Sequence, residues 1–351
     1  MKSFRTRQTV ELGQVLARSG QGTVYRTGDP NLLAKIYNTV LDAERLDKLK
    51  VMLDFAPEDP TVATLQHISI AWPSDILLDN VGVPMGFLMP FIHDARELTH
   101  VYNASLRLQS APRFNWYYLH QTAFNYASAV HAIHSKSYVI GDIKPQNVLV
   151  NSRALISIID TDSFQVTSPR SGLRYRCPVG TEGFTARELL EELSTGGTFM
   201  DVDRTEVHDR FGTAVVIYLL LFGRHPFMEG LWKGVGESPS PDHRVLRGLW
   251  LQNPGKEIAK DPGSIPLNVV HPRLEQCFRR CFSDGHHEPS LRPSALEWRA
   301  ALKAAMDDLV PCTMESNHYR GRHTDVCYWC ARAQHFGVDI FSPQQRRSAQ
   351  A

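Results

Sequence analysis

Over the first ninety residues, short apolar runs alternate with turns. Thr9 to Leu16, Thr23 to Arg26 and Leu32 to Tyr37 are separated by turns rich in Gly, Asn, Asp and Pro, the signature of successive strands. Between Asp42 and Leu53 the leucines at 46, 49 and 53 share one face and predict a helix, and Gly86 to Phe91 predicts another strand. Beyond Pro112 the period changes. Trp116 to Ser135 has no Gly or Pro and predicts a long helix, followed by a hairpin over Asn147 to Val150 and Leu155 to Ile159. Helical patterns cover Arg210 to Phe222, Arg273 to Phe282 and Ser294 to Leu309, and the Gly-, Pro- and charge-rich stretch Gly230 to Pro266 predicts a surface insertion. No internal repeat or low-complexity segment interrupts this order. Strands first and helices later predict an α+β chain with a strand-rich N-terminal lobe and a helical C-terminal lobe.

Composition narrows the function classes. Hydrophobic residues make up 42% and charged residues 21% of 351, which suits a globular protein with a sizeable core. Lys and Arg number 38 against 37 Asp and Glu, so there is no basic excess of the kind a general nucleic-acid binder carries. The longest apolar run, Ala214 to Phe222, is far short of the roughly 20 residues that span a bilayer, and reads as a core helix. Met1 to Val10 is basic with no apolar stretch behind it, so no signal peptide is expected and a cytoplasmic location without membrane attachment is. The six cysteines then argue for thiols and metal, not disulfides.

Several segments carry residue types suited to phosphate chemistry. Between Ala17 and Tyr25, Ser19, Gly20 and Gly22 form a tight turn that lets backbone amides approach phosphates closely; taken alone it is also an ordinary hairpin turn. Lys35 lies on a strand between apolar neighbours. Asp142, Lys144 and Asn147 put a carboxylate, an ammonium and an amide within six residues, with Pro145 stiffening the loop and a strand following. Asp160 follows the next strand, with Asp162 two residues on.

In order, these segments resemble the motifs of eukaryotic-type protein kinases. Asp142 to Asn147 is similar to the catalytic loop H-R-D-x-K-x-x-N, and Asp160 stands at the magnesium-binding D-F-G position. Gly180 to Glu188 resembles G-T-x-x-Y-x-A-P-E. Asp209 to Gly212, Gly223 to Phe227 and Leu291 to Ser294 resemble later kinase signatures. The resemblance covers about residues 8–309 and implies a bilobal fold, with lobes over 8–93 and 94–309.

Carried over by position, the resemblance makes Lys35 the ligand of the α- and β-phosphates of ATP. Asp142 becomes the catalytic base and Lys144 a γ-phosphate contact. Asn147 and Asp160 become the Mg ligands. Ser19, Gly20 and Gly22 cover the phosphates, Val24 and Ala34 line the adenine pocket, Met89 is the gatekeeper, and Phe91 to His93 form the hinge. Glu188 and Arg292 become a structural ion pair, and Asp209 a brace below the catalytic loop. Glu44 is the carboxylate expected to pair with Lys35, although it falls opposite the leucine face, and Asp47 and Asp54 are alternatives. Asp162 reads as a second metal ligand or a turn residue. Ile140 and Gly141 replace the usual His-Arg, so dependence on activation-loop phosphorylation is expected to be slight. Thr161 and Asp162 replace Phe-Gly, and Arg187 replaces Pro. The match at 180–188 implies protein substrates and the Thr at 181 a Ser/Thr specificity. A nucleotide-binding pseudokinase scaffold and a small-molecule kinase are the alternatives.

After the last helix, Cys312, His318, Cys327 and Cys330 offer three thiols and an imidazole suited to a closed zinc site, with His323 as a competing ligand. Residues 310–340 are too few to bury a core alone, so the metal would supply the folding energy of this module, with docking or packing as its role. A disordered tail is expected over 341–351. Asp160 to Gln165, His318-Tyr319 and Tyr328 to Cys330 resemble one bacterial group, the kinases encoded beside a von Willebrand factor A protein and a PP2C-type phosphatase. That resemblance implies these two as candidate substrate and antagonist.

Overall fold

The computed structural model describes residues 1–252 and 257–342. Six strands, β1 (Lys2–Ser3), β2 (Leu12–Arg18), β3 (Gly22–Thr27), β4 (Leu32–Tyr37), β5 (Asp75–Leu78) and β6 (Pro84–Pro90), form an antiparallel sheet in the order β1-β5-β6-β4-β3-β2. Side chains alternate across β4. Tyr37 joins the main core and Leu33 and Lys35 line the cavity below the sheet, while Ala34 packs on the other face with Leu77 and Leu88. The first strand expected from the sequence, Thr9 to Leu16, is observed three residues later, and the sheet begins earlier than residue 8. Lys2 and Ser3 pair with Leu78 and Leu77, and the buried Asp75 carboxylate accepts the amide of Arg5 at 3.1 Å.

Helix α1 (Ala43–Asp54) lies against this sheet, its N-terminus capped by the Asp42 carboxylate, which accepts from the amide of Arg45 at 2.7 Å. Trp72 donates from its indole to the Met52 carbonyl (2.8 Å), and the Tyr138 hydroxyl to the Phe55 carbonyl (2.9 Å). The last turn of α1 is thereby tied to the body below.

A small sheet of β7 (Ala95–Glu97), β8 (Val148–Asn151) and β9 (Ile156–Ile158) joins the lobes. The helical lobe is built on α2 (Trp116–His134) and α4 (Glu206–Phe222), preceded by α3 (Arg187–Ser194). Both central helices are apolar on most of their circumference and are buried accordingly. Stacked and edge-on rings of Tyr218, Phe222, Phe278 and Phe282 fill the space between α4 and α5 (Pro272–Arg279). The expected helix Arg273 to Phe282 is α-helical only as far as Arg279, and Arg280–Asp284 winds on as a π-turn. Helix α6 (Ala295–Asp308) opens with a capping box between Ser294 and Glu297.

Among its described residues, the stretch Gly230 to Pro266 is more than the surface insertion expected. Val245, Trp250 and Leu251 are buried, and Leu231–Trp232 pairs with Ile258–Ala259. The C-terminal segment continues from α6 as a hairpin of β10 (Leu309–Pro311) and β11 (Tyr319–Gly321), then α7 (Tyr328–Phe336). Phe341 belongs to this packed segment and not to a tail: it is buried against Trp329. The rest of the expected tail, 343–351, lies outside the described residues. Among the described residues no helix is long and apolar enough to cross a membrane.

Candidate active site

A cavity of about 340 Å³ opens between the sheet and the β8–β9 hairpin. Leu16, Val24, Leu33, Met89 and Ile159 give it apolar walls, and Lys35, Asn147 and Asp160 make it polar at one end. Ser19, Gly22 and Phe91 also line it, but three expected residues do not. Ala34 faces away: strand alternation gives its place to Leu33, one residue earlier. His93 is exposed, its ring edge-on to Phe91. Gly20 sits beyond the rim in the β2–β3 turn, where the Ser19 hydroxyl accepts the amides of Gln21 (3.3 Å) and Gly22 (3.2 Å). Gly22 is required by close packing, since a Cβ there would lie 2.6 Å from the Ile36 carbonyl oxygen.

Lys35 is buried, and its ammonium donates to Asp160 Oδ1 (2.8 Å) and to both Asp162 oxygens (2.7 and 2.8 Å). Burial alone would lower its pKa; the carboxylates of Asp162 and then Asp160 reverse this and raise it. Glu44, the expected partner, is exposed at the recess between α1 and the Tyr175 segment, on the same face of α1 as Lys48, and the Lys35 ammonium bonds to Asp160 and Asp162 instead. The alternatives are engaged elsewhere: Asp47 with the Tyr175 hydroxyl, Asp54 with Arg5 and Arg170. The Tyr37 hydroxyl donates to Asp162 Oδ2 at 2.9 Å, and the Lys48 ammonium, from the inner face of α1, donates to the Asp162 carbonyl at 2.6 Å. Sequence reasoning missed Lys48. Its one visible signal is a lysine next to Leu49 and four residues before Met52, on the buried side of the helix.

The loop after α2 holds Asp142 at the cavity's lower edge. Asp142 Oδ1 accepts from the Thr181 hydroxyl (2.6 Å) and Oδ2 from Lys144 (2.6 Å). Asn147 donates from its amide nitrogen to the Asp142 carbonyl at 3.3 Å, which leaves its side-chain oxygen for a hard cation. The Ile159 amide donates to the Asn147 carbonyl at 2.9 Å and so keeps Asn147 beside Asp160. Asp160 sits in the left-handed region (φ 59°), unusual for a residue with a side chain. From below, Asp209 accepts the amides of Ile140 (2.6 Å) and Gly141 (2.9 Å), with His134 on the same carboxylate at 2.9 Å. Glu188 and Arg292 form a two-pronged pair at 2.6 and 2.7 Å.

Gly141 stands where the sequence resemblance expects an arginine, and the space is taken. A Cβ at 141 (φ +74°) would lie 2.6 Å from Arg204 Nη1 and 2.8 Å from Cys177 Sγ. Arg204 is buried over the Phe199 ring and donates to the Val179 carbonyl at 2.7 Å, holding the segment between Asp160 and Glu188.

In the C-terminal segment the ligand atoms of Cys312, His318, Cys327 and Cys330 all lie within 4.8 Å of one another. Cys312 Sγ and Cys330 Sγ are 3.6 Å apart, close to the edge of about 3.8 Å expected for a tetrahedron of thiolates around zinc. His318 turns Nδ1 toward Cys330 Sγ (3.3 Å), while Nε2 meets Asp339 at 2.9 Å, the arrangement that orients a metal-binding imidazole. The competing His323 lies apart, between Asp308 and the Asn268 carbonyl.

The protein kinase domain family matches residues 85–240. The protein kinase YegI of Escherichia coli K12 is 31% identical over 332 residues, 93% of this chain and 49% of that protein. Human citron Rho-interacting kinase is 33% identical over 105 residues, 29% of this chain and 5% of that protein. Human 3-phosphoinositide-dependent protein kinase 1 is 33% identical over 104 residues, 29% of this chain and 17% of that protein. The chain spans about half the length of the bacterial relatives it matches. Residues 85–240 thus match the protein kinase domain, and with its bilobal α+β fold and antiparallel N-terminal sheet the chain is similar to a bacterial protein kinase along nearly its whole length.

Proposed function

We propose that this protein transfers the γ-phosphate of ATP to serine or threonine hydroxyls of proteins. The observation that carries the reading is the convergence of Lys35, Asn147 and Asp160 on one cavity, with Asp142 fixed at its edge by Thr181 and Lys144. The apolar walls suit an adenine ring and the polar end suits its phosphates. Lys35 holds the α- and β-phosphates and Lys144 the γ-phosphate. The substrate hydroxyl oxygen attacks the γ-phosphorus, the bond from that phosphorus to the bridging β-oxygen breaks, and ADP leaves. Asp142 accepts the hydroxyl's proton. The Thr181 hydroxyl at 2.6 Å already marks the hydrogen-bonding position that such a proton donor takes. Asn147 and Asp160 would hold magnesium, which supplies charge neutralisation on the phosphates.

Cys312, His318, Cys327 and Cys330 would hold zinc as a closed structural centre that docks on the helical lobe. We take the lobes as 1–93 and 94–309, and a metal module from residue 310 through Phe341. A von Willebrand factor A protein as substrate and a PP2C-type phosphatase as antagonist rest on the sequence resemblance alone.

Incorporation of labelled γ-phosphate, with magnesium and a von Willebrand factor A candidate, tests the reading. Wild type is expected to label a protein, and Asp142→Ala to lose at least about 100-fold in rate while keeping its melting temperature. No incorporation, with ATP still raising the melting temperature, would leave a nucleotide-binding scaffold.

A further inference from the structure

We propose that Asp162 is the carboxylate that positions Lys35 for phosphate binding, in the place expected of a glutamate on α1, and that Lys48 holds Asp162 in register from that helix. This rests on the kinase reading above. Of the Lys35 contacts, two go to Asp162 and one to Asp160. Once Asp160 turns to metal and phosphates, Asp162 is the partner that remains.

Asp162 is not placed to be a second metal ligand. Its Oδ1 accepts from Lys35 and its Oδ2 from Lys35 and Tyr37, and its side chain is 4% exposed. It also faces a different space. Asp160 lines the nucleotide cavity, whereas Asp162 lines a recess of about 200 Å³ between α1 and the segment around Tyr175. The Lys35–Asp162 pair is the partition between the two.

The helix contributes a cation where a carboxylate is expected. Lys48 is buried and spends its hydrogen bond on the main-chain carbonyl of Asp162. The pairing carboxylate therefore comes from the same turn as Asp160, and the helix acts on Lys35 through the backbone of that turn. Glu44, one turn before Lys48, lines the exposed part of that recess, while the lysine's bonds go to Asp162 and Asp160.

The test uses the full chain with Asp162→Asn, Lys48→Met and Asp160→Asn. It reads kcat, KM for ATP, the half-saturating magnesium concentration, and the rate at which an amine-selective acetylating reagent modifies Lys35, followed by peptide mass spectrometry. Asp162→Asn is expected to lower kcat about 100-fold through misplacement of the lysine. The half-saturating magnesium should stay at the wild-type value, and Lys35 should be acetylated about tenfold faster, because two of the three carboxylate hydrogen bonds that hold its ammonium go to Asp162. Asp160→Asn should raise the magnesium requirement instead.

Asp162→Asn turning over at the wild-type rate, or raising the magnesium requirement with Lys35 labelling unchanged, overturns the proposal. Acetylation needs no turnover. A wild type that transfers no phosphate while Asp162→Asn labels tenfold faster removes the kinase reading alone. Should Asp162→Asn lose its thermal transition, Lys48→Met decides: a rate loss of several-fold with faster Lys35 labelling supports the pair, and wild-type values in both overturn it.

Discussion

The Lys48 ammonium is buried with a carbonyl as its hydrogen-bond partner, and burial pulls its pKa down to about 8 from 10.5. The folded state therefore binds fewer protons than the unfolded state between pH 8 and 10.5, and stability rises with pH across that window. Below pH 8 the full cost of the buried charge is carried, on the order of 3 kcal/mol. Lys48→Met is expected to melt several degrees above the wild type at pH 7, with the gap closing as pH is raised toward 10.5. Calorimetry at four pH values checks it, and a gap that does not depend on pH counts against a charged Lys48. At this scale the sequence was legible by residue type and not by partner. Lys35, Asn147 and Asp160 line one cavity, and Asn147 bonds to the Asp142 carbonyl beside it. Ala34 was misread because strand faces alternate, so an error of one position moves a side chain through the sheet. Asp162 was visible as a carboxylate, but its bond to Lys35 crosses 127 residues and both lobes, and no local pattern carries it.

Helices and strands with clear periods were readable, and those that depend on tertiary support were not. Helices α2 and α6 lie within the predicted spans, and α4 begins at Glu206, four residues before the predicted Arg210. The two-residue β1 has no period to detect, and exists because Leu77 and Leu78 offer it a free edge. Within Gly230 to Pro266, the Gly and Pro content outweighed Val245 and Trp250. That segment supports the site region, since Asp242 accepts the Gly183 amide at 2.7 Å. The segment from Asp160 to Glu188 is held by contacts that need no phosphate: Arg204 to the Val179 carbonyl and Thr181 to Asp142. Phosphatase treatment of the purified protein is accordingly expected to leave its transfer rate unchanged, checked by mass spectrometry of 160–188 beside the assay. The Glu188–Arg292 pair anchors the end of the same segment. Burial would raise the Glu188 pKa, but the hydrogen bonds and charge of Arg292 outweigh it and hold the carboxyl below its ordinary value. Its contribution is present above the unfolded pKa near 4.5 and is lost as pH falls through the lower, folded value. Glu188→Ala strands Arg292, which is 1% exposed, and is expected to cost roughly 3–5 kcal/mol in a denaturation experiment at pH 7.

For the whole molecule, the C-terminal module is not an appended bead. The Trp329 ring meets Trp116 at 4.9 Å and Phe341 at 4.8 Å, so the first turn of α2 and the end of the module share one aromatic core. Arg107, buried in the helical lobe, donates to the Ile340 carbonyl at 2.8 Å and lies over the Phe341 ring. The segment that carries the Cys312, His318, Cys327 and Cys330 cluster therefore shares a packed surface with the helical lobe. Removing zinc with a strong chelator is expected to lower a single thermal transition of the whole chain, not to melt a separate small one, and Trp329→Ala to cost roughly 3–5 kcal/mol. Two resolved transitions in calorimetry would contradict the shared core. The cysteine spacing made the module legible, but its docking rests on Trp116 and Arg107, two hundred residues upstream, where nothing in the sequence marks a partner.

The packing at Gly141 reaches beyond this one chain. The volume that an arginine side chain would need is occupied by Arg204 and Cys177, contributed from 63 and 36 residues downstream. Neither position can drift alone: a side chain at 141 needs a small residue at 204, and losing Arg204 beside a glycine leaves a hole under the catalytic loop. In lineages descended from this protein the two positions should be inherited as a pair, so that the history of one can be read from the other.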